Sequence, residues 1–188
     1  MSVMIVFNLV SIDGYFVDMK GDMSWAHNRA TDGEWDDFVA SNARGGGVLL
    51  FGRITYDLMA SYWPTPVAAK NDPVVAERMN NLSKVVFSRT MEKAAWSNTR
   101  LVKNDPAAEV RKMKREGGAD MALMGSGSIV ARLANEGLID EYQVVVVPFV
   151  LGAGRTMFEG VKERKRFILT GTRSFANGNV LLTYKPGA

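Results

Sequence analysis

Two hydrophobic periods alternate along the chain. Short runs rich in Val, Ile, Leu and Phe, bounded by Gly, Asn, Asp and Pro, carry the signature of strands. Between them apolar residues recur every three or four positions, the signature of helices facing a core. Strands are predicted over roughly residues 3–10, 48–51, 84–88, 100–102, 121–124, 142–148, 167–175 and 179–185. The run YQVVVVPF is apolar without alternation, as expected of a strand covered on both faces. Ala176, Asn177 and Gly178 separate the last two strands. Asn and Gly accept positive φ, so a tight antiparallel return is predicted there. The pattern implies an α/β fold with an eight-stranded, mostly parallel sheet, an antiparallel C-terminal strand and helices on both faces.

Trp35, Phe38, Val39 and Ala43 share one face of a helix predicted over 32–43, with Gly45 as its stop. Ala107, Val110 and Met113 do the same for a helix from Pro106, which Gly117 and Gly118 end. Ile129, Val130, Leu133 and Ala134 mark a third, over 127–136. Shorter helical pieces are predicted after Arg53 and Pro73, while 62–72, with Pro64 and Pro66, reads as an irregular loop. No repeat or long linker interrupts the chain, so one domain is expected over 1–188.

Composition narrows the chemistry. A chain of 188 residues can bury roughly 70% of its unfolded surface. With 47% hydrophobic and 23% charged residues it does not resemble a disordered one. Cysteine is absent, which removes disulfides, thiolate metal sites, cysteine nucleophiles and the zinc deaminases. His27 is the single histidine, so no His-rich metal centre is expected. Lys and Arg number 23 against 20 acidic residues, a net charge of +3. That falls short of a nucleic-acid-binding stripe, but a few placed cations suffice for an anionic small molecule. No apolar run approaches the roughly 18 residues that cross a bilayer. The first residues lack the basic segment and cleavage site of an export signal, so a cytoplasmic location is expected.

Three segments could bind phosphate. In MALMGSGSIVARL, a strand runs through Gly125-Ser126-Gly127-Ser128 into the helix predicted over 127–136, with Ile129 in its first turn. Such a turn offers free backbone N–H groups and a helix dipole to an anion. Val130 stands where the third glycine of a Rossmann fingerprint belongs, so that motif is broken. In VLLFGRITYDLM, Gly52 ends a strand, and Arg53 and Thr55 open the next helix. In KVVFSRT, Ser88 and Arg89 leave a third strand end, a fork and a hydroxyl suited to a phosphate monoester. Each also has a purely structural reading, as a glycine turn or a solvated arginine. Their coincidence at one edge of one sheet favours a dinucleotide phosphate.

Two further segments read less sharply. Asp13-Gly14 after the first strand signals a turn, which Asp13 alone could hold. Trp25 suits a core, and His27 a surface or capping role. Of Asp32, Glu34, Asp36 and Asp37, Glu34 leans toward the face of Phe38. Thr31-x-x-Glu34 also has the spacing of a capping box, with Glu34 at the third helical position.

With these segments in place, the chain resembles the reductase domain found C-terminally in the riboflavin-biosynthesis protein RibD, of dihydrofolate-reductase-like fold. SIDG, LLFGRITYD, VVFSRT and GSGSIVARLANEGLIDEYQVVVVPFVLGAGRTMFEG carry the resemblance, in order and over almost the whole chain. It implies eight strands, seven of them parallel, with NADPH across their carboxyl edge, and a homodimer in many members. Gly52, Arg53 and Thr55 would hold the adenylate side, Ser88 and Arg89 the 2′-phosphate, and Gly125, Ser126, Gly127, Ser128 and Ile129 the pyrophosphate. Val10 and Ser11 would lie under the nicotinamide, with Asp13, Trp25 and Phe38 toward a heterocyclic substrate.

The chain departs from the dihydrofolate reductases in lacking their proline-containing segment before the first helix, where an alignment on Phe38 puts Glu34 at the place of their pterin-binding carboxylate. The riboflavin-pathway deaminase domain cannot be supplied by a chain without cysteine. The expected activity is that of an NADPH-dependent reductase like 5-amino-6-(5-phosphoribosylamino)uracil reductase. A pteridine or dihydrofolate reductase and a non-catalytic NADP-binding module are the alternatives. Asp13 and Glu34 are the candidates for catalysis.

Overall fold

A computed structural model describes residues 2–26, 32–44 and 47–187, without the side chains of Ala43 and Arg44. His27, Thr31 and Gly45 lie outside the described residues. In chain order the elements are β1 (Met4–Ser11), β2 (Val17–Asp18), α1 (Gly33–Arg44), β3 (Val48–Gly52), α2 (Arg53–Tyr62), α3 (Pro66–Asn71) and α4 (Pro73–Asn81). There follow β4 (Ser83–Phe87), β5 (Thr99–Val102), α5 (Pro106–Glu116), β6 (Met121–Met124) and α6 (Gly127–Asn135). The chain ends with β7 (Glu141–Val147), β8 (Gly154–Arg155), β9 (Phe167–Ser174) and β10 (Val180–Pro186). A short 3-10 turn spans Ser24–Ala26.

The main sheet has eight strands in the order β5-β4-β3-β6-β1-β7-β10-β9. From β5 to β7 every pair is parallel. β10 is antiparallel to both β7 and β9, so β9 again runs with the majority. Seven strands thus share one direction, and the carboxyl ends of β3, β4, β5 and β6 lie side by side.

Both sheet faces carry apolar clusters. On one, Met4, Val6, Leu50 and Leu123 meet Val110 of α5 and Val130 and Leu133 of α6. On the other, Leu49, Phe51 and Val86 meet Tyr56 of α2, Val75 and Met79 of α4, and Trp96. Phe38 of α1 packs on Phe7, 6.4 Å between ring centres. In β7, Val145 and Val147 are fully buried while Val144 and Val146 are part-buried. The strand is therefore covered on both faces, unequally.

Three local features were not read from the sequence. The segment 62–72 is not an irregular loop, because α3 occupies part of it. Thr65 caps α3 by accepting a hydrogen bond from the Ala68 amide at 3.2 Å, and Pro66 stands in the first turn. A proline there gives up only an amide that has no helical partner, so Pro66 and Pro73 start helices. Thr31 of the expected capping box lies outside the described residues. Asp32 caps α1, its Oδ1 accepting from the amides of Glu34 at 3.0 Å and Trp35 at 3.3 Å. Finally, β2 and β8 form a two-stranded ladder too short for any sequence period to reveal.

Lys84 on β4 is 1% exposed. Its ammonium donates to the carbonyls of Asn80, at 3.1 Å, and Leu82, at 2.6 Å, at the end of α4. It also lies 4.6 Å from the Trp96 ring centre. The orphan carbonyls of a helix end explain a cation in that place.

Candidate functional site

Because β3 and β6 are parallel neighbours, each strand-to-helix turn opens on the same edge of the sheet. Gly125 and Ser126 both take left-handed conformations, φ +65° and +59°. Serine there costs on the order of 1 kcal/mol, and such strain gathers at functional sites. The Ser126 hydroxyl accepts from the Gly52 amide at 2.7 Å and lies 3.2 Å from the Thr55 hydroxyl. The two turns are thus tied together. A Cβ at Gly52 would fall 2.4 Å from Ser126 Oγ, and one at Gly125 would fall 2.6 Å from Thr55 Oγ1, so only glycine allows this approach. Beneath them, buried Asn8 accepts the Gly125 amide at 2.8 Å.

Above the turns lies a cleft of about 1000 Å³, at the upper end of small-molecule sites. It gathers Gly52, Arg53, Thr55, Ser88, Arg89, Ser126, Gly127, Ser128 and Ile129 from segments far apart in sequence. Neither α2 nor α6 has a side-chain cap at its N-terminus, so both present amides and the positive end of a helix dipole. Arg53 makes only a half-exposed contact with Asp57, 3.3 Å, of the kind that contributes little. Arg89, Lys103 and Arg155 also line the cleft, with no carboxylate partner among the described residues. Arg132 is engaged by Asp105 at 2.9 Å. Uncapped helix ends, unpaired cations and glycine-lined turns fit a dinucleotide with several phosphates.

Gly127 and the candidates outside the lining have other contacts. Gly125 lies behind the lining, and Gly127 faces Phe16 and the Thr156 carbonyl, which a Cβ would meet at 3.0 and 3.2 Å. Close packing, as much as ligand approach, therefore requires glycine at 127. Val10 and Ser11 are buried at the end of β1, outside the cleft lining. The Ser11 hydroxyl donates to Asp13 at 2.6 Å. Asp13 also accepts from the amides of Leu151, 3.2 Å, and Gly152, 2.7 Å. The Ser11 hydroxyl, with these amides, holds the Asp13 carboxyl below its usual range despite the opposing effect of burial. Asp13 is a clamp between two loops, and a poor proton donor at neutral pH. Trp25 is held by its indole N–H on the Asp22 carbonyl, 3.2 Å. Phe38 stacks with Trp35 and Phe175 at 5.6 and 5.2 Å.

Glu34 points to solvent and accepts from Arg173 Nη2 at 2.8 Å, while that guanidinium lies over the Phe175 ring at 4.8 Å. The buried carboxylate at the head of α1 is Asp32, which also accepts the Asn177 amide at 2.9 Å. That amide, foremost, depresses its pKa against the effect of burial. Glu34→Gln should therefore leave turnover within about twofold of wild type and change stability by less than about 1 kcal/mol, as exposed pairs do. A turnover loss of a hundredfold would return Glu34 to the mechanism.

Sequence reasoning missed Lys103 and Arg155. Lys103 follows the last residue of β5, so the strand-end rule that exposed Arg89 reaches it too. Arg155 has no such signal, because β8 is two residues long. Among the described residues no cluster of metal-ligating side chains occurs, and no helix is long and apolar enough to cross a membrane.

Fold and cleft together define an α/β protein with an electropositive cleft at the carboxyl edge of a parallel sheet. The chain belongs to the RibD C-terminal domain family, whose model matches residues 2–181. It is 30% identical over 176 residues, 93% of this chain and 90% of the relative, to the uncharacterized protein YyaP of Bacillus subtilis. The uncharacterized YwjB of the same organism is 23% identical over 171 residues, 91% of either chain. A Shewanella sp. PV-4 protein, named provisionally for riboflavin biosynthesis, superposes with a TM-score of 0.74 at 22% identity over 99% of both chains. The Thermotoga maritima deaminase/5-amino-6-(5-phosphoribosylamino)uracil reductase gives 0.67 at 13% identity, covering 99% of this chain and 57% of that one. The fold is that of the dihydrofolate-reductase-like RibD domains.

Proposed function

We propose that this protein is an NADPH-dependent reductase of a small heterocyclic substrate, similar in activity to 5-amino-6-(5-phosphoribosylamino)uracil reductase. The observation that carries the reading is the cleft itself, where three phosphate-suited turns meet above four parallel strand ends. Gly125 to Ile129 hold the pyrophosphate, Ser88 and Arg89 the 2′-phosphate, and Gly52, Arg53 and Thr55 the adenylate side. Val10 and Ser11, buried behind the cleft at the end of β1, would support the nicotinamide side without lining it. Asp13 shapes the substrate side by clamping the loop at Leu151, and Trp25 and Phe38 stiffen the elements around it.

The bound cofactor supplies the hydride. The chain's task is to orient both partners. Asp13 and Asp105 are held below the usual carboxylate range, so we assign the accompanying proton to solvent rather than to either of them. We further infer one domain over 1–188, a homodimer and a cytoplasmic location.

Fluorescence titration with NADPH tests the cofactor half: saturable binding is expected. Loss of NADPH absorbance with the aminopyrimidine ribosyl phosphate, and none with dihydrofolate, is the expected outcome for the substrate half. The reverse preference would make it a pteridine reductase. Binding without oxidation by either would make it a nucleotide-binding module.

A further inference from the structure

The β2–β8 ladder brings a cation to the cleft that the roles above do not use. Val17 pairs with Arg155 and Asp18 with Gly154, and the Phe16 amide donates to the Arg155 carbonyl at 3.0 Å. A Cβ at residue 154 would lie 2.2 Å from the Val17 carbonyl oxygen, so glycine lets the two strands close. The ladder rests on the first turn of α6, through the Phe16 ring and Thr156 carbonyl against Gly127. The backbone of exposed Arg155 is thereby held at the cleft whose lining also includes Ser126, Gly127 and Ser128. Its backbone holds the ladder, while its guanidinium has no hydrogen-bond or carboxylate partner among the described residues. Arg100, Arg111, Arg132 and Arg173 all pair with acids.

Sheet order separates this cation from Arg89. Arg89 follows β4 and the α6 turn follows β6, with β3 between them. Two strand spacings amount to roughly 10 Å, too far for one phosphate group to bridge. The cleft thus offers two anion sites, one at the β4 end and one at the start of α6. We propose that Arg155 is a further cofactor-binding residue, whose guanidinium engages the pyrophosphate together with the uncapped N-terminus of α6. The inference rests on the NADPH reading. It goes beyond that reading in adding a cation, Arg155, to the α6 turn at the bridging diphosphate common to NADPH and NADH.

The test is fluorescence titration of wild type, Arg155→Ala, Arg155→Lys and Arg89→Ala with NADPH and with NADH, alongside melting of the unliganded proteins. Arg155→Ala should weaken both dinucleotides about tenfold, the loss of one charge-assisted contact. Arg155→Lys should recover part of that loss, and the unliganded melting temperature should stay at the wild-type value. Unchanged binding of both dinucleotides would overturn the proposal, and would leave Arg155 to a phosphate on the substrate. Loss confined to NADPH would also overturn it, placing Arg155 at the 2′-phosphate. A fall in unliganded melting temperature that Arg155→Lys does not restore would overturn it in favour of a structural role. Wild-type protein that binds neither dinucleotide would sink the reductase reading itself, and the proposal with it.

Discussion

Arg89→Ala should raise the Kd for NADPH by about ten- to a hundredfold and leave the Kd for NADH unchanged. Arg89 stands at the carboxyl end of β4, lines the cleft and has no acidic partner among the described residues. Its guanidinium is therefore available without first breaking an ion pair. A charge-assisted contact to a phosphate contributes about 1.5–3 kcal/mol, and each 1.4 kcal/mol is a factor of ten in affinity. NADH lacks the 2′-phosphate and has nothing to lose. Lys103, at the end of neighbouring β5, should retain part of the preference in the single variant. Arg89→Ala combined with Lys103→Ala should bring the two Kd values together. Equal losses for both cofactors in the Arg89 variant would show that this end of the cleft does not read the 2′-phosphate.

The second large effect concerns stability and pH. Lys84 is buried against Trp96, and burial pushes its pKa down to about 8 from 10.5. Below pH 8 the lysine is charged in both folded and unfolded chains, and the folded state bears the full desolvation cost. Between pH 8 and 10.5 the folded lysine has released its proton while the unfolded one keeps it. The unfolded state then binds more protons, so stability rises with pH across that window, by at most about 3 kcal/mol. Tyr142 acts in the opposite sense higher up. Burial raises its pKa to about 12, so from about pH 10 upward the unfolded chain ionises first and stability falls. Urea unfolding at pH 8, 9 and 10 should show the rise in wild type. Lys84→Met should remove it, and should cost about 1–3 kcal/mol for the carbonyls of Asn80 and Leu82 left without a donor. A wild-type profile that falls from pH 8 would mean that the lysine stays charged in the folded protein.

Much of the architecture was legible because most strands are apolar runs ended by glycine or a polar pair. β3, β4 and β6 are of this kind, and their ends carry Gly52, Ser88 and Gly125, so the phosphate-suited turns of the cleft could be read from local signals. The loops that meet around Asp13 were less legible. Ser11, Asp13, Leu151 and Gly152 meet across 138 residues of chain, and no local pattern records such a meeting. Glu34 and Asp32 illustrate the same limit. Helical spacing placed Glu34 toward the pocket. Only the position of the turn before β10, whose Asn177 amide reaches Asp32, shows which carboxylate is buried. Proline misled at 62–72 for a different reason: it breaks a helix interior and starts a helix equally well, and Thr65 decides between them.

The first strand lies in the middle of the sheet, and its partners are made late. Val6 pairs with Leu123 on one side and with Tyr142 on the other. During synthesis β1 therefore waits, with its apolar face uncovered, until more than a hundred further residues have emerged. The parallel pair β3–β4 spans only about 35 positions and can close much earlier. Contacts of such long reach slow folding, since the loop between them must be ordered first. On refolding from urea, helical signal should appear first and dinucleotide binding last, because the Gly125 turn is seated by Asn8 of that same late-closing strand.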